Sequence, residues 1–241
     1  MATKLTLAEH DPATVVILNA FIQEEDTDNR RFLADCERWF EHPITVLRDD
    51  KYGASTHEVW SRRRYIKGRY GAPCSKELKR ELLNGFARPD DIYVLGFTSE
   101  EEDRLNEFID ANNDRKVIVP LIDKNLSKAD CLAIVERAGI EIPRMYRLGY
   151  DNANCIGCPK GGQAYWQNIR EDFPEQFVQI KTIQELIGPG ANFLRFRSGP
   201  REGERMSLAE LPPGCGDMSQ EPSFSCSFFC VMAEQDIKGR S

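Results

Sequence analysis

The segment Thr14-Val15-Val16-Ile17-Leu18-Asn19-Ala20 is a short apolar run that is rich in β-branched residues. A run of this kind, without polar alternation, is typical of a strand buried on both faces in a parallel sheet. Similar runs follow at residues 44–47, 91–97 and 116–122, and stretches with helical periodicity separate them. Strands that alternate with helices predict an α/β fold with a doubly wound, mainly parallel, Rossmann-like sheet.

The helices between these strands carry signals at their ends. Ser99 and Ser127 are placed to act as N-caps, and Gly139 ends the helix that Ser127 begins. From about residue 144 the chain changes character and becomes rich in Gly, Pro and Cys. We therefore predict two domains, an α/β domain over residues 1–143 and a small, irregular, Cys-rich C-terminal lobe over residues 144–241.

Composition limits the class of protein. No apolar run in the 241 residues approaches the roughly 20 residues that cross a bilayer, so we expect no membrane partner and a cytoplasmic location. A net charge of −7 argues weakly against general nucleic-acid binding. In a reducing compartment, the eight cysteines indicate a metal, a redox site or core packing more readily than disulfides.

Basic residues crowd into one segment, where Glu77 is the only acid between residues 62 and 80. One interpretation is a solvated helical face. The other is an anion site for phosphate or sulfate, because Arg binds such groups through two hydrogen bonds at once. Lys160, beside Gly161 and Gly162, has the same two interpretations. The basic residues of the segment are Arg62, Arg63, Arg64, Lys67, Arg69, Lys76, Lys79 and Arg80.

The segment Asn154-Cys155-Ile156-Gly157-Cys158-Pro159-Lys160-Gly161-Gly162 contains a Cys-x-x-Cys pair set among small residues. Two thiolates at this spacing can bind one metal ion or one corner of an iron–sulfur cluster, and a redox-active pair has the same pattern. Cys74 follows a Gly-Ala-Pro turn, and Cys226 and Cys230 lie near the C-terminus. These additional cysteines favour a metal centre, which is either an iron–sulfur cluster or zinc.

Three blocks in order resemble the phosphoadenosine phosphosulfate reductase family, and more closely its bacterial and phage-borne reductase-like branch. They are residues 67–79 (KGRYGAPCSKELK), residues 94–97 (VLGF) and residues 154–162 (NCIGCPKGG), and the likeness extends over nearly the whole chain. The resemblance implies an adenine-nucleotide domain that binds ATP or an adenylyl sulfate at the carboxyl ends of its strands. It implies a four-iron cluster bound by Cys74, Cys155, Cys158 and either Cys226 or Cys230, of which we favour Cys230.

The resemblance also indicates the residues that would bind the substrate. Relatives keep arginines for the acidic groups of the substrate near the strand that ends at Phe97, and Arg104 lies just beyond it. The predicted substrate- or anion-binding residues are Arg64, Lys67, Arg69, Arg104 and Lys160. We assign no catalytic residue.

The chain departs from the family in two places. It contains no Ser-Gly-Gly-x-Asp/Thr-Ser phosphate loop, and residues 2–10 resemble the end of the helix that follows that loop, so we expect the first strand and the loop to be missing. The tail lacks the Glu-Cys-Gly-x-His of true sulfonucleotide reductases. The missing loop argues against nucleotide hydrolysis or transfer by this chain alone. The altered tail argues against sulfate reduction and leaves adenylation or sulfur transfer open.

Two functional hypotheses follow. In the first, the protein is a homo-oligomeric reductase-like enzyme that acts on an adenine nucleotide or sulfonucleotide, with a nucleic acid or a protein as sulfur acceptor. In the second, it is a non-catalytic or partner-dependent binding module, held together by its metal, that has lost the nucleotide loop. A third hypothesis, a Cys-x-x-Cys oxidoreductase, is weaker because no compact thioredoxin-type βαβ pattern surrounds Cys155.

Overall fold

The computed structural model describes residues 1–68 and 71–221 and shows a mixed α/β fold in which helices predominate. Amphipathic spacing and end signals account for most helices; α2, for example, places Cys36 on its buried side and ends at Glu41 in the left-handed region. The helices are α1 (Ala2–Glu9), α2 (Asp28–Phe40), α3 (Thr56–Arg63), α4 (Pro73–Ser75), α5 (Glu81–Phe86), α6 (Glu102–Ala111), α7 (Pro120–Asp123), α8 (Lys128–Arg137), α9 (Arg144–Arg147), α10 (Gln163–Asp172) and α11 (Pro174–Ile187). A π-helical turn, Lys76–Arg80, joins α4 to α5 without a break.

The strands form three separate two-stranded ladders within the described residues. β1 (Ile17–Ala20) pairs in parallel with β2 (Ile44–Leu47), and β3 (Ile92–Val94) pairs in parallel with β4 (Lys116–Ile118). The third ladder is antiparallel and very short, between β5 (Leu194–Arg195) and β6 (Arg205–Met206). The predicted α/β class and the parallel pairing are confirmed, whereas a continuous doubly wound sheet is not seen in this part of the chain.

The strand side chains are less covered than the apolar sequence predicts. Val16, directly before β1, is 60% exposed, and Ile92 in β3 is 57% exposed. The predicted strand over 116–122 is also too long, because Pro120 is the first residue of α7 instead of the end of β4. Proline fits the first turn of a helix, where its missing N–H is not needed.

Helix α1 links the two parallel ladders. It contacts α2 on the side of β1 and β2, and it contacts β3 and α7 on the other side. The ammonium of Lys4 donates to the carbonyl of Trp39 at 2.7 Å, and Glu9 forms an ion pair with Lys124 at 2.6 Å. Helix α1 therefore contacts elements of both ladders, which do not pair with each other in the described residues.

Most of the buried apolar side chains form one large cluster around α3, α10, α11 and the Cys-x-x-Cys segment. A second, smaller cluster consists of Leu95, Phe97, Leu105 and Phe108 beneath β3 and β4. The large cluster includes residues from both sides of the predicted domain boundary at 143/144, such as Trp60 and Trp166. None of the helices described is long and apolar enough to cross a membrane.

Candidate functional site at the cysteine loop

The loop of residues 153–162, hereafter the cysteine loop, is attached to the segment that follows β1. The backbone N–H of Ile156 donates to the carbonyl of Glu24 at 2.9 Å, and Glu25 and Cys155 form an isolated antiparallel bridge. The side-chain amide of Asn29 donates to the carbonyl of Ala153 at 3.0 Å. These bonds place the cysteine loop at the carboxyl end of β1, the edge where parallel sheets bind their ligands.

Two glycines allow the loop to fold tightly. Gly157 has φ +75°, and a Cβ added there would lie 2.2 Å from Cδ1 of Ile180. A Cβ on Gly161 would lie 2.1 Å from the ring of Tyr165. Only glycine fits either position without movement of a buried neighbour, so the Cys-x-x-Cys turn is shaped by contact with α10 and α11.

Tyr165 of α10 fixes both ends of this turn through one hydroxyl group. The hydroxyl accepts from the backbone N–H of Cys158 at 2.9 Å and donates to the carbonyl of Cys155 at 3.2 Å. Burial raises the pKa of Tyr165 well above its ordinary value, so the phenol stays neutral and can make both bonds. The apolar periodicity of α10 identifies Tyr165 as a core residue but gives no sign of this role.

Cys74, Cys155 and Cys158 all lie in the large buried cluster, each less than 9% exposed. Cysteine sulfur atoms suit zinc or an iron–sulfur cluster as ligands. Among residues 1–68 and 71–221, however, no three or more His, Cys, Asp or Glu side chains converge as metal ligands. Cys226 and Cys230, the candidates for the fourth ligand, lie outside the described residues, so the metal centre stays a prediction.

The three acids after β1 interact within the protein. Glu24 accepts from the hydroxyl of Ser55 at 2.5 Å and from the backbone N–H of Thr56 at 2.8 Å, which caps α3. Glu25 forms an ion pair with Lys79 at 3.5 Å. Carboxylates at helix N-termini are stabilised by free N–H groups and by the helix dipole.

The third acid, Asp26, joins the strand region to the segment that precedes the cysteine loop. Its side chain is fully buried, and one oxygen accepts from Nε of Arg144 at 2.9 Å and from a terminal nitrogen at 2.6 Å. The other oxygen accepts from the backbone N–H of Asp28 at 2.8 Å. A buried carboxylate needs such a complete set of donors, so Asp26 and Arg144 position α9 against the start of α2.

The predicted anion-binding residues do not form one group. Lys67 reaches the cysteine loop, where its ammonium lies 3.5 Å from the carbonyl of Lys160. Arg64 instead donates to the carbonyls of Leu186 and Ile187 at 3.3 and 3.1 Å, at the C-terminal end of α11. Arg104 pairs with Glu101 and stacks on Phe97, 5.2 Å from the ring centroid, beside β3. Arg69 lies outside the described residues.

Several other cations of the basic segment are matched by acids that are distant in sequence or one helical turn away. Glu77, whose side chain is 4% exposed, receives both Arg63 and Lys51. Arg62 pairs with Glu58 at 3.0 Å, and Lys76 lies 3.4 Å from Glu81. For these residues the structure agrees with the plain interpretation of a solvated helical face. Among the predicted residues that the structure describes, Lys67 contacts the cysteine loop at the carbonyl of Lys160.

His57, like Tyr165, is a residue near the cysteine loop whose role the sequence did not predict. Its spacing to other histidines, cysteines and acids does not match a metal-binding pattern. Its Nδ1 lies 3.8 Å from Oε1 of Glu24, and its ring lies 5.4 Å from that of Trp60. Burial lowers the pKa of His57, and the charge of Glu24 partly opposes this effect. Its Nε2 is buried and has no hydrogen-bond partner in the described part of the chain. A neutral imidazole beside the carboxyl end of β1 can exchange a proton with a bound group.

The cysteine loop thus lies against the residues that follow β1, with the Lys67 ammonium at the carbonyl of Lys160 and His57 beside Glu24. In comparisons with family models, with curated proteins and with solved structures, nothing matches this chain.

Proposed function

We propose that the protein is a reductase-like or sulfurtransferase-like enzyme that acts on an adenylyl sulfate or on another ATP-activated substrate of sulfur transfer. In this proposal the β1–β2 and β3–β4 ladders are the two halves of a doubly wound sheet, and the cysteine loop covers its carboxyl edge. The parallel direction of both ladders and the shared contacts of α1 support that arrangement.

The observation that carries the proposal is the attachment of the cysteine loop to the residues after β1. The bond from Ile156 to Glu24 and the bridge between Glu25 and Cys155 bring a thiol-rich loop to the place where a nucleotide would bind. The ammonium of Lys67 reaches the backbone carbonyl of Lys160 in this loop and provides positive charge for an anionic group. His57 provides a proton acceptor at the same edge.

The proposal includes a metal centre formed by Cys74, Cys155, Cys158 and a tail cysteine, either four-iron or zinc. When bound, the metal centre would be held by the thiolates of these cysteines and would act as an electrostatic or structural element next to the substrate. The residues of the chain would then bind the substrate anion, exclude water and hold the loop through Tyr165.

The test is metal and acid-labile sulfide content, with a visible spectrum, on the full chain purified without oxygen. Iron and sulfide near four each per chain would support a cluster, and this signal should disappear in Cys158→Ser. Cys36→Ser, a buried cysteine of α2 away from the loop, is the matched control and should retain it. Protein without metal would remove the metal centre from the proposal.

Calorimetric titration with adenosine 5′-phosphosulfate and ATP tests the proposed substrate class. Absence of binding at millimolar concentrations would contradict that substrate class.

The alternative is a binding module without catalysis. It is favoured by one observation, the separation of the parallel strands into two ladders that do not pair with each other within the described residues. One zinc per chain, no sulfide and no nucleotide binding would establish this function in place of the first.

A further inference from the structure

The N-terminus of α10 holds a carboxylate from a distant part of the chain. Oε1 of Glu221 accepts from the backbone N–H of Ala164 at 2.8 Å and from a terminal nitrogen of Arg197 at 3.1 Å. The side chain of Glu221 is only 2% exposed. Because α10 has ten residues, its aligned peptide groups favour negative charge at this end.

The surroundings of this carboxylate are shaped around it. A Cβ on Gly162, the N-cap residue of α10, would lie 2.1 Å from Oε2 of Glu221. A Cβ on Gly216 would lie 2.5 Å from the backbone nitrogen of Ala164. Two glycines therefore leave room for an acidic group where side chains would otherwise block the helix end.

Only one of the two carboxylate oxygens of Glu221 is hydrogen-bonded within the described residues. Oε2 of Glu221 is buried and has no hydrogen-bond partner among the described residues, while Oε1 receives both donors. A buried oxygen without a donor is costly, so the chain holds Glu221 in this position at an energetic disadvantage. An external anion that keeps its remaining oxygens toward water would avoid that disadvantage.

We propose that the N-terminus of α10 and Arg197 form a binding site for a tetrahedral oxyanion, phosphate or sulfate, and that Glu221 is an internal competitor that occupies it. The site lies at the end of the cysteine loop, since Gly162 follows Cys158 by four positions. Release of the Glu221 side chain opens this site to an anion. This proposal requires neither the metal centre nor the nucleotide of the proposed function.

The test is calorimetric titration of the full chain with sodium sulfate and, separately, with sodium phosphate and adenosine 5′-phosphosulfate. Glu221→Ala should bind sulfate about tenfold more tightly than the unaltered chain, because the internal carboxylate no longer competes. The double variant with Arg197→Ala should lose this gain. Glu210→Ala removes a similar capping glutamate, which accepts from Ser207 at 2.9 Å, and should leave sulfate affinity unchanged.

Equal sulfate affinity in Glu221→Ala and the unaltered chain would overturn the proposal and leave Glu221 as a structural cap. If Glu221→Ala does not fold, Glu221→Gln serves instead, because its amide oxygen can still accept from Ala164. Sulfate should then raise the melting temperature of Glu221→Gln more than that of the unaltered chain, and an equal rise would overturn the proposal. Tighter binding of adenosine 5′-phosphosulfate than of sulfate would identify a nucleotide as the carrier of the anion, and equal binding would identify the free ion.

Discussion

The two buried clusters of this protein differ in size, and the region with the more regular sequence pattern has the smaller cluster. The β3–β4 region has a regular strand–helix pattern, yet its cluster contains only Leu95, Phe97, Leu105 and Phe108. The region around the cysteine loop has little regular sheet, yet Trp166 and Ile169 of α10 are completely buried. The periodicity of apolar residues reports which element forms, whereas the depth of burial depends on how many neighbours pack against it.

The largest effect is expected at Gly157, in the better packed region. Gly157→Ala combines a left-handed backbone with a close contact to Ile180, so we expect a loss of about 4 kcal/mol in the free energy of unfolding. Urea denaturation measures this loss in the free energy of unfolding. Gly149→Ala is the matched control, since Gly149 has φ +87° but nothing within 4 Å of an added Cβ. Equal losses in the two variants would show that the contact with Ile180 contributes nothing.

Phe108→Ala tests whether the two clusters unfold together. Phe108 is 1% exposed, and its truncation should cost about 3 kcal/mol. If the clusters are separate units, amide hydrogen exchange should become faster in α6 and stay unchanged in α10. Faster exchange in both helices would mean that the small cluster is part of one cooperative core, and that the two clusters are not separate units.

Tyr165→Phe measures how much the tyrosine hydroxyl contributes to the stability of the cysteine loop. It leaves the N–H of Cys158 and the carbonyl of Cys155 without the hydroxyl, for an expected loss of about 2 kcal/mol in thermal or urea unfolding. Tyr150→Phe is the control, because its hydroxyl donates to Asp172, an exposed residue that water can solvate. A loss in Tyr165→Phe no greater than in this control would contradict the role assigned to the hydroxyl.

The smallest effect concerns the carboxylate of Asp28 at the start of α2. Hydrogen bonds from Arg31 chiefly, with the backbone N–H of Arg144, lower the pKa of Asp28 from its ordinary 3.8 to about 2. Because the folded-state pKa is lowered, this stabilisation is present above pH 4 and is lost as the pH falls toward 2. After solvent screening we expect about 1 kcal/mol.

The measurement for Asp28 is unfolding free energy against pH, in the unaltered chain and in Asp28→Asn. The difference between the two chains should be constant near neutral pH and should shrink on acidification between pH 4 and pH 2. A difference that does not depend on pH would mean that the charge of Asp28 does not stabilise the folded protein.

Local signals in the sequence predicted local structure well. Ser127 is the predicted N-cap of α8, where it forms a capping box with Asp130, and Gly139 follows that helix with φ +78°. The prediction that Ser99 is the N-cap is wrong by one position, because Thr98 and Glu101 form the capping box of the turn before α6. Adjacent Ser and Thr are nearly equivalent as caps, so the sequence alone could not separate them.

The arrangement of the site could not be predicted in the same way. The Cys-x-x-Cys pattern identified the loop, but the partners that position it, Glu24 and Tyr165, carry no sequence signal. Arg64 and Arg104 belonged to the predicted anion-binding set, and the structure shows that each contacts groups of the protein instead. Such contacts depend on three-dimensional neighbours, which a local pattern does not contain.

The bonds that attach the cysteine loop and α9 to the segment after β1 have a consequence for the synthesis of the protein. Asp26 and Arg144 are 118 residues apart, and Asn29 and Ala153 are 124 residues apart. While the ribosome has made only the first half of the chain, the carboxylate of Asp26 has no arginine from α9 and stays hydrated. Contacts at such separation form late and slow the approach to the native state. A chaperone that shields the nascent N-terminal half would therefore act in the interval before α9 emerges.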